Sequence, residues 1–312
     1  MRRAIKTVLQ QLTSDDGDLK RKGVDLSMKR KVEIIGERKF IYFGEFPQNL
    51  FVNKEIEENL KHKGDGIYEI RGKNYRKYTP QNIHDKSRFG DGSSIQRGTP
   101  YYFLLEPLKW EILYEEDSRL LLFCDSIIYS MRYSDSRVHV RHINNEIVYK
   151  GNWEYSEIRH WLNNEFYQKA FSEEQRKMIV PTLNCNGKSS FVDNEYTRIQ
   201  KDTIDNVFIF GFDDLVKKEY GFSTSPKTYS KRSRIVTDYG RATGAWISPD
   251  GYGWYWLRSA VNYAGRAGRC ASTGTFTEKG EGTYTYKGGV VPVMYVSKDI
   301  IKDDLDNTVF VS

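Results

Sequence analysis

The chain has 312 residues, of which 29% are charged and 38% belong to the hydrophobic set, so it can bury a substantial core and is too apolar to be disordered. Tyrosine is abundant, since its 22 residues equal the 16 phenylalanines and 6 tryptophans combined. A tyrosine has an apolar ring and a polar tip, so this excess is typical of partly wet binding surfaces. The alternative is a tyrosine-rich core whose hydroxyl groups find internal partners.

The net charge of +6 is concentrated at the N-terminus, because residues 1–39 contain eleven Lys or Arg against six Asp or Glu. The rest of the chain is close to neutral, which argues against a nucleic-acid surface that covers the whole protein. The basic clusters at residues 20–22 and 29–31 could give this N-terminal leader a binding role. It would then contact the phosphates of a nucleic acid or, as an inhibitor-like segment, the acidic face of a partner. We favour a solvated basic leader.

The sequence contains no targeting signal that we can identify. The apolar run of the N-terminus is too short and broken for a signal peptide, and no window approaches the roughly eighteen apolar residues of a membrane span. Cys124, Cys185 and Cys270 are an odd number without close pairs, which favours a reducing compartment over a disulfide framework or a zinc cluster. We therefore expect a cytoplasmic protein without a membrane contact, with release by phage lysis as an alternative.

The first elements in chain order are a short helix and a series of strands. Residues 4–13 predict a short amphipathic helix, and the residues after it, to about residue 36, predict a linker. Residues 38–48 predict a strand, and the alternation within residues 67–78 around Gly72-Lys73 predicts a two-residue hairpin. The strand-like runs of residues 101–129 predict an antiparallel meander.

The clearest helix is predicted in residues 153–171. Its apolar residues recur at the spacing of one buried helical stripe, with Ser156 as the N-cap, and these residues are Ile158, Trp161, Leu162 and Phe166. Residues 172–175 then predict a capping box that starts a second short helix.

The later elements are shorter. Residues 205–211 predict a buried strand, residues 213–222 a short helix, and the basic segment 227–234 precedes a helix-prone stretch that ends near Thr243. Eleven of the 25 glycines lie between residues 240 and 289, but no linker accompanies this change in composition. We therefore expect a basic extension over residues 1–36 and a single domain over residues 37–312.

Six motifs in a fixed order carry a resemblance. They are FGEFPQ at residues 43–48, EPLKW at 106–110, WEYSEIRHWLN at 153–163, AF at 170–171, DNVFI at 205–209 and WLRS at 256–259. Over about residues 38–296, this succession resembles an uncharacterised bacterial domain family that runs from FG-x-(Y/F)-PQ through EPI-x-W, R-x-WLN and WLRS to GVRPA. One position departs from that pattern, because Val291 stands where the family has Arg.

The C-terminal end of that family is similar to the C-type-lectin-like fold of formylglycine-generating enzymes and of retroelement-diversified ligand-binding proteins. In those proteins an aromatic-Arg-Ser strand and a G-(F/V)-R strand bracket a variable loop that carries the binding surface. The resemblance implies an α+β, C-type-lectin-like fold of mixed and antiparallel sheets, with a few short helices and a long C-terminal loop-hairpin region. Fold alone does not settle function.

Residues 252–296 predict the binding site. Trp254, Trp256 and Arg258 share one face of a predicted strand, and the two indole rings can anchor it strongly. Residues 262–288 are rich in Tyr, Ser, Thr, Gly, Asn and Arg, as antibody loops are. We therefore predict a recognition surface over residues 259–288, with the contacts Asn262, Tyr263, Arg266, Arg269, Tyr284 and Tyr286. The alternative is that residues 269–277 and 283–286 are ordinary hairpin strands.

Arg258 has two interpretations. It can clamp a carboxylate or phosphate of the ligand, and we include it among the candidate ligand-binding residues for this reason. It can instead pair with an internal carboxylate between the tryptophan-bearing strands, which is the interpretation that we favour.

Evidence for catalysis is thin. Cys270 lies in a strand-like position that suits any small apolar residue, and Cys124 and Cys185 lie in unrelated segments. His139 and His142 would face opposite sides of a strand without a third metal ligand. We predict no catalytic residue, metal or cofactor, and non-catalytic recognition of a glycan or protein. The alternative is an enzyme related to the formylglycine-generating oxidases that uses Cys270.

Overall fold

The structure is a computed structural model, and it describes residues 31–51, 60–83, 87–187, 189–198, 200–229 and 231–301, together with the backbone of 309–310. Two features discussed from the sequence lie outside these residues. They are the helix at residues 4–13 and the basic clusters at 20–22 and 29–31, of which only Lys31 is described.

The described residues are mostly β-sheet with a few short helices, which is the coarse α+β character expected. In chain order, the strands are β1 Glu33–Ile35, β2 Arg38–Leu50, β3 Lys61–Gly64, β4 Ile67–Ile70, β5 Lys73–Tyr78, β6 Tyr101–Glu115, β7 Arg119–Cys124, β8 Ser126–Ile127, β9 Tyr129–Ser130, β10 Val140–Ile143, β11 Glu146–Tyr149, β12 Ile179–Val180, β13 Thr182–Asn184, β14 Thr203–Asp205, β15 Arg234–Val236, β16 Tyr252–Gly253, β17 Tyr255–Ala260, β18 Arg266–Cys270, β19 Glu281–Gly282, β20 Gly289–Val290, β21 Val293–Ser297 and β22 Val309–Phe310. The helices are α1 Glu157–Trp161, α2 Tyr167–Ala170, α3 Glu173–Met178, α4 Glu195–Arg198 and α5 Asp238–Thr243. A π-helical turn, Leu162–Phe166, joins α1 to α2, and 3₁₀ turns lie at Asp214–Val216, Lys218–Tyr220 and Lys298–Ile300.

The largest sheet is built around the long strand β6. Strand β2 pairs antiparallel along one edge of β6, whereas the other edge is divided between β5 at one end and β7 at the other. The strand order is β12-β21-β7-β6-β2-β1-β22, and β5 also pairs with β6 and continues the sheet through β4 to β3. The predicted β6–β7 meander and the β4–β5 hairpin are confirmed, although the hairpin turns at Arg71-Gly72, one residue earlier than expected. Strand β1 falls in the segment that we assigned to the linker.

A bulge in β2 lets the end of helix α2 pack directly on the sheet. Gly44 has φ +72°, and a Cβ atom at this position would lie 2.5 Å from the ring of Phe171. Only glycine combines this left-handed backbone with such a close approach. Phe43 and Phe171 pack with ring centroids 5.3 Å apart, so α2 ends directly on the strand.

The predicted helix caps are confirmed. The Ser156 hydroxyl accepts a hydrogen bond from the Arg159 N–H, and Ser172 and Gln175 form the complete capping box. The helix is not uniform, however, because residues 162–166 form the π-helical turn. There, the Asn163 side chain donates hydrogen bonds to the carbonyl oxygens of Arg159 and Val207. The second bond connects the π-helical turn to the segment that follows β14.

The motif residues of this helix converge on one buried carboxylate. Asp205 accepts hydrogen bonds from Trp153 Nε1 at 3.0 Å, Arg159 Nε at 2.6 Å and Asn184 Nδ2 at 2.9 Å. The Thr203 hydroxyl also lies 2.7 Å away. A buried carboxylate is tolerated when several donors satisfy it, so the R-x-WLN and DNVFI motifs meet in a structural network.

Several later predictions need correction. Residues 207–211 are buried but do not continue strand β14: Phe208 bridges Val293, and the Phe210 carbonyl accepts a hydrogen bond from the Arg258 N–H of β17. Residues 213–222 contain two 3₁₀ turns in place of one short helix. The basic segment also contains two fully buried arginines, of which Arg234 pairs with Glu111 at 3.0 Å.

Within the ranges that the structure describes, no helix combines the length and apolarity needed to cross a membrane.

Candidate functional site

A second sheet carries the tyrosine- and arginine-rich segment. Its strand order is β19-β18-β17-β20-β9, in which β18 pairs antiparallel with β17 and β20 pairs parallel with it. Because β19 and β20 lie on opposite sides of the β17–β18 hairpin, the chain between them must cross the sheet. Residues 283–288 make this crossing and are called the crossing segment below.

The tryptophans predicted to anchor β17 lie under this crossing segment. Trp254 and Trp256 are buried, and their rings meet edge to face with centroids 5.0 Å apart. Trp256 Nε1 donates to the carbonyl oxygen of Met131 at 2.9 Å. A Cβ atom on Gly288 would lie only 2.0 Å from that nitrogen, so the crossing segment rests directly on the Trp256 ring.

The crossing segment forms one wall of a cleft of ≈ 600 Å³, which is called the tyrosine cleft below. The residues that immediately follow α5 form another wall, and the Trp246 N–H donates to the Lys287 carbonyl at 3.1 Å. Trp246 is 43% exposed, Tyr284 38% and Tyr286 36%. These three aromatic side chains therefore present ring surface to solvent within one cleft.

Arg132 holds the two tyrosines of the crossing segment. Its guanidinium carbon lies 3.8 Å from the ring centroid of Tyr284 and 3.7 Å from that of Tyr286. The Lys150 ammonium lies 5.2 Å from the Tyr284 centroid, and burial lowers the pKa of Lys150. Cation–π contacts of this kind are worth about 0.5–2 kcal/mol each, so both rings are fixed before any ligand arrives.

The charges around the tyrosine cleft are predominantly positive. Arg97 and Lys287 line it, and among the described lining residues there is no Asp or Glu. Asp135 pairs with Arg132, the residue that contacts both tyrosines, at 3.1 Å. The cleft therefore favours neutral or anionic ligands over cationic ones.

The other predicted contacts lie at the tip of the β17–β18 hairpin. Asn262, Tyr263 and Arg266 are exposed, and the Arg266 guanidinium carbon lies 5.4 Å from the Tyr263 ring centroid. The Thr283 N–H donates to the Gly265 carbonyl at 3.1 Å, so this hairpin tip is held beside the crossing segment. Asn262 is engaged by Asn194, whose Nδ2 lies 2.9 Å from its Oδ1.

Two of the candidate arginines have internal partners. Arg269 lies over Trp254, with 5.4 Å from its guanidinium carbon to the ring centroid, and 3.6 Å from Glu281. Arg258 is 9% exposed and its Nη1 lies 2.5 Å from Asp214 Oδ2. For Arg258, this geometry corresponds to the internal ion pair that the sequence favoured.

Cys270 does not have the surroundings of a nucleophile. It is fully buried against Tyr255, and burial raises the pKa of its thiol to about 11. A reactive cysteine needs an accessible thiolate, which burial opposes. In the described ranges there is also no cluster of three or more His, Cys, Asp or Glu that could hold a metal ion.

Arg97 and Trp246 were not predicted as lining residues of the tyrosine cleft, and Lys287 lies within the predicted surface 259–288 without having been chosen as a contact. A signal existed for Trp246, which stands alone between the Gly244 turn and the turn-forming run Ser-Pro-Asp-Gly at 248–251. Arg97 lies in a loop whose position relative to the crossing segment only the tertiary structure supplies.

The fold and the site define an α+β protein with a preformed aromatic cleft. Residues 117–298 match a family described as a domain of unknown function, DUF6273, and because this match spans more than half of the chain, the protein belongs to that family. Membership of a family without an assigned function agrees with the expectation of an uncharacterised domain. No curated protein and no solved structure matches the chain with significant similarity.

Proposed function

We propose that this protein is a non-catalytic recognition protein that binds a glycan or a protein ligand in the tyrosine cleft. The observation that carries the proposal is the preformed set of three exposed aromatic rings, Trp246, Tyr284 and Tyr286, around a cleft of ≈ 600 Å³. Ligand sites typically occupy about 300–1,000 Å³, so the cleft is of suitable size.

Rigidity supports this proposal. Arg132 already lies between Tyr284 and Tyr286, and Trp256 supports the crossing segment from below. A ligand that stacks on rings already held in place loses less conformational entropy on binding than one that must order them. The same rings accept either the apolar face of a sugar or a side chain of a protein partner.

The hairpin tip extends the proposed surface. Tyr263 and Arg266 are exposed beside the crossing segment, and the Thr283–Gly265 hydrogen bond fixes their separation from the cleft. We therefore keep Asn262, Tyr263 and Arg266 as secondary contacts. Arg258 and Arg269 are assigned supporting roles, because Asp214 and Glu281 engage them.

Catalysis is not part of the proposal. Among the described residues that line the tyrosine cleft there is no His, Cys, Asp or Glu to act as a base or a nucleophile. The buried position of Cys270 likewise gives no support to an oxidase that uses it.

We further propose a C-type-lectin-like architecture for residues 252–296 and a cytoplasmic location. The parallel pairing of Tyr255 with Gly289 supports the first, because β17 and β20 then bracket the binding segment as in that fold. The free thiols of all three cysteines are compatible with the second.

Binding of the purified full chain to a glycan array and a protein array tests the proposed function. Trp246→Ala and Tyr286→Ala should each weaken the interaction with an array ligand at least about tenfold, as expected when an aromatic contact of about 1.4 kcal/mol or more is lost. Tyr229→Ala is the matched control, because Tyr229 is 76% exposed and does not line the cleft. Absence of any array ligand, or equal binding by all three variants, would contradict the proposal.

A further inference from the structure

A second pocket lies at the opposite end of α5 from the tyrosine cleft. Tyr239, in the first turn of α5, lines this pocket, whereas the tyrosine cleft is lined by residues that follow the helix. Its volume is ≈ 210 Å³, which corresponds to about seven water molecules at ~30 Å³ each. The pocket is called the phenol pocket below, after the three tyrosines that line it: Tyr78, Tyr129 and Tyr239.

The hydroxyl groups of these tyrosines have no hydrogen-bond partner among the described residues. Tyr239 is nevertheless only 6% exposed, and burial raises the pKa of all three phenols, so each remains protonated at neutral pH. A protonated phenol both donates and accepts a hydrogen bond. The hydroxyl groups are not among the buried polar atoms that lack a partner, so they are open to the pocket, where a polar molecule can exchange hydrogen bonds with them.

Neighbouring aromatic rings hold the phenols in place. The Tyr129 ring stacks on Trp161, with centroids 4.8 Å apart and an interplanar angle of 13°. The Tyr239 ring contacts Tyr78 at 5.5 Å and Tyr129 at 5.8 Å between centroids. The hydroxyl groups are therefore presented by a rigid aromatic wall, and their positions do not have to be ordered on binding.

Three cations, Arg76, Lys77 and Lys169, and one carboxylate, Glu165, line the phenol pocket. Lys169 Nζ lies 3.0 Å from Asp65 Oδ2 and 3.1 Å from Glu165 Oε1, and Arg76 pairs with the same Asp65. The ammonium of Lys77 lies over the rings of Tyr68 and Tyr102. Two of the three cations therefore already have carboxylate partners and the third contacts aromatic rings, so a ligand does not need a negative charge to be accommodated.

We infer that the phenol pocket binds one uncharged polyhydroxylated ring, of the size and chemistry of a neutral monosaccharide residue. The aromatic wall contacts the apolar C–H face of such a ring, and the three phenols exchange hydrogen bonds with its hydroxyl groups. This inference rests on different residues from the tyrosine cleft, so either site can be refuted without the other.

Saturation-transfer NMR on the full chain tests the inference with defined probes. Glucose, galactose, mannose and N-acetylglucosamine represent neutral sugars, choline represents a cation, and glucuronate represents an anion. We expect transfer to at least one neutral sugar and weaker or no transfer to choline and glucuronate. Transfer to no neutral sugar, or preferential binding of choline or glucuronate, would overturn the inference.

Single-oxygen variants then locate the site. Tyr129→Phe and Tyr239→Phe should each weaken sugar binding about tenfold, the loss expected for one or two hydrogen bonds. The melting temperature without sugar should stay the same or rise, because an unpartnered hydroxyl group is removed; a merely structural role predicts a fall. Tyr167→Phe is the matched control, because its hydroxyl donates to the Arg176 carbonyl outside the pocket.

A last pair of variants separates the two sites. Tyr229→Ala, at an exposed tyrosine that lines neither pocket, should leave monosaccharide binding unchanged. If Trp246→Ala, which alters the tyrosine cleft, abolishes monosaccharide binding while the Tyr→Phe variants do not, the sugar occupies the cleft and the assignment of the phenol pocket is wrong.

Discussion

The guanidinium of Arg258 lies 2.5 Å from the carboxylate of Asp214, and both side chains are almost completely enclosed. The same Nη1 donates to the Ile209 carbonyl at 2.9 Å, and the Asp214 carboxylate accepts the Gly211 N–H at 2.9 Å. The pair therefore fastens β17, the strand beneath the crossing segment, to residues 209–214. The WLRS motif thus has a structural role in supporting the site.

Asp214→Asn should destabilise the protein by about 3–5 kcal/mol at pH 7, because removing one partner of a buried pair leaves the other charge uncompensated. Urea unfolding measures this change. The exposed Asp250, substituted by Asn, is the matched control and should change the free energy of unfolding by no more than about 0.5 kcal/mol. Equal stability of the two variants would show that the pair contributes nothing.

The contribution of Asp214 should depend on pH. Burial acts to raise its pKa, but the Arg258 charge and the Gly211 hydrogen bond outweigh it, so the pKa lies below the ordinary value of 3.8. A carboxyl with a lowered folded-state pKa stabilises the fold above its unfolded pKa and loses this effect as the pH falls through its folded pKa. The difference in unfolding free energy between wild type and Asp214→Asn should therefore narrow below about pH 4. A constant difference from pH 7 to pH 3 would contradict the assignment.

Asp205→Asn should destabilise the protein by about 3 kcal/mol or more, because Arg159, Trp153 and Asn184 all donate to this enclosed carboxylate. Chemical unfolding checks the value. Glu146→Gln removes an exposed ion pair with Lys201 and should cost at most about 1 kcal/mol. If both substitutions have the same small effect, the network does not organise the helix as described.

Gly288→Ala should destabilise the crossing segment by about 1–3 kcal/mol, because its Cβ would lie 2.0 Å from Trp256 Nε1. Thermal unfolding and the tryptophan emission spectrum report the displacement. Gly282→Ala is the matched control, since no atom lies within 4 Å of its Cβ position. A neutral Gly288→Ala would mean that the segment does not rest on the indole ring.

Thiol labelling should distinguish the cysteines. In the native protein Cys185, which is exposed, should react with a disulfide reagent, whereas Cys124 and Cys270 should react only after unfolding. Burial raises the pKa of Cys124 to about 12 and that of Cys270 to about 11. Rapid native labelling of Cys270 at pH 7 would contradict this expectation and revive the enzymatic alternative.

Local interactions explain why parts of the fold were predictable. The Ser156 N-cap and the Ser172–Gln175 capping box each join residues three apart, so residue type and spacing suffice to identify them. The hairpin at β4 and β5 follows from strand alternation around a glycine-containing turn. In the binding segment, the tyrosines were identified by composition, and Tyr284 and Tyr286 do line the cleft.

Long-range contacts account for what could not be predicted. Arg258 and Asp214 are 44 residues apart, and Arg234 and Glu111 are 123 residues apart, so no local pattern distinguishes these arginines from surface cations. The π-helical turn likewise depends on Asn163 reaching the distant Val207 carbonyl.

Short-range sequence patterns therefore predict the helix caps, the turns, the strand propensities and the chemical character of the tyrosine-rich segment. Each of these features depends on residues only a few positions apart in the chain. Which charges are buried, which rings Arg132 contacts, where Trp246 lies and where the three phenols meet all depend on how remote segments pack. Burial and pairing are properties of a three-dimensional neighbourhood, and folding assembles that neighbourhood from residues the chain keeps far apart.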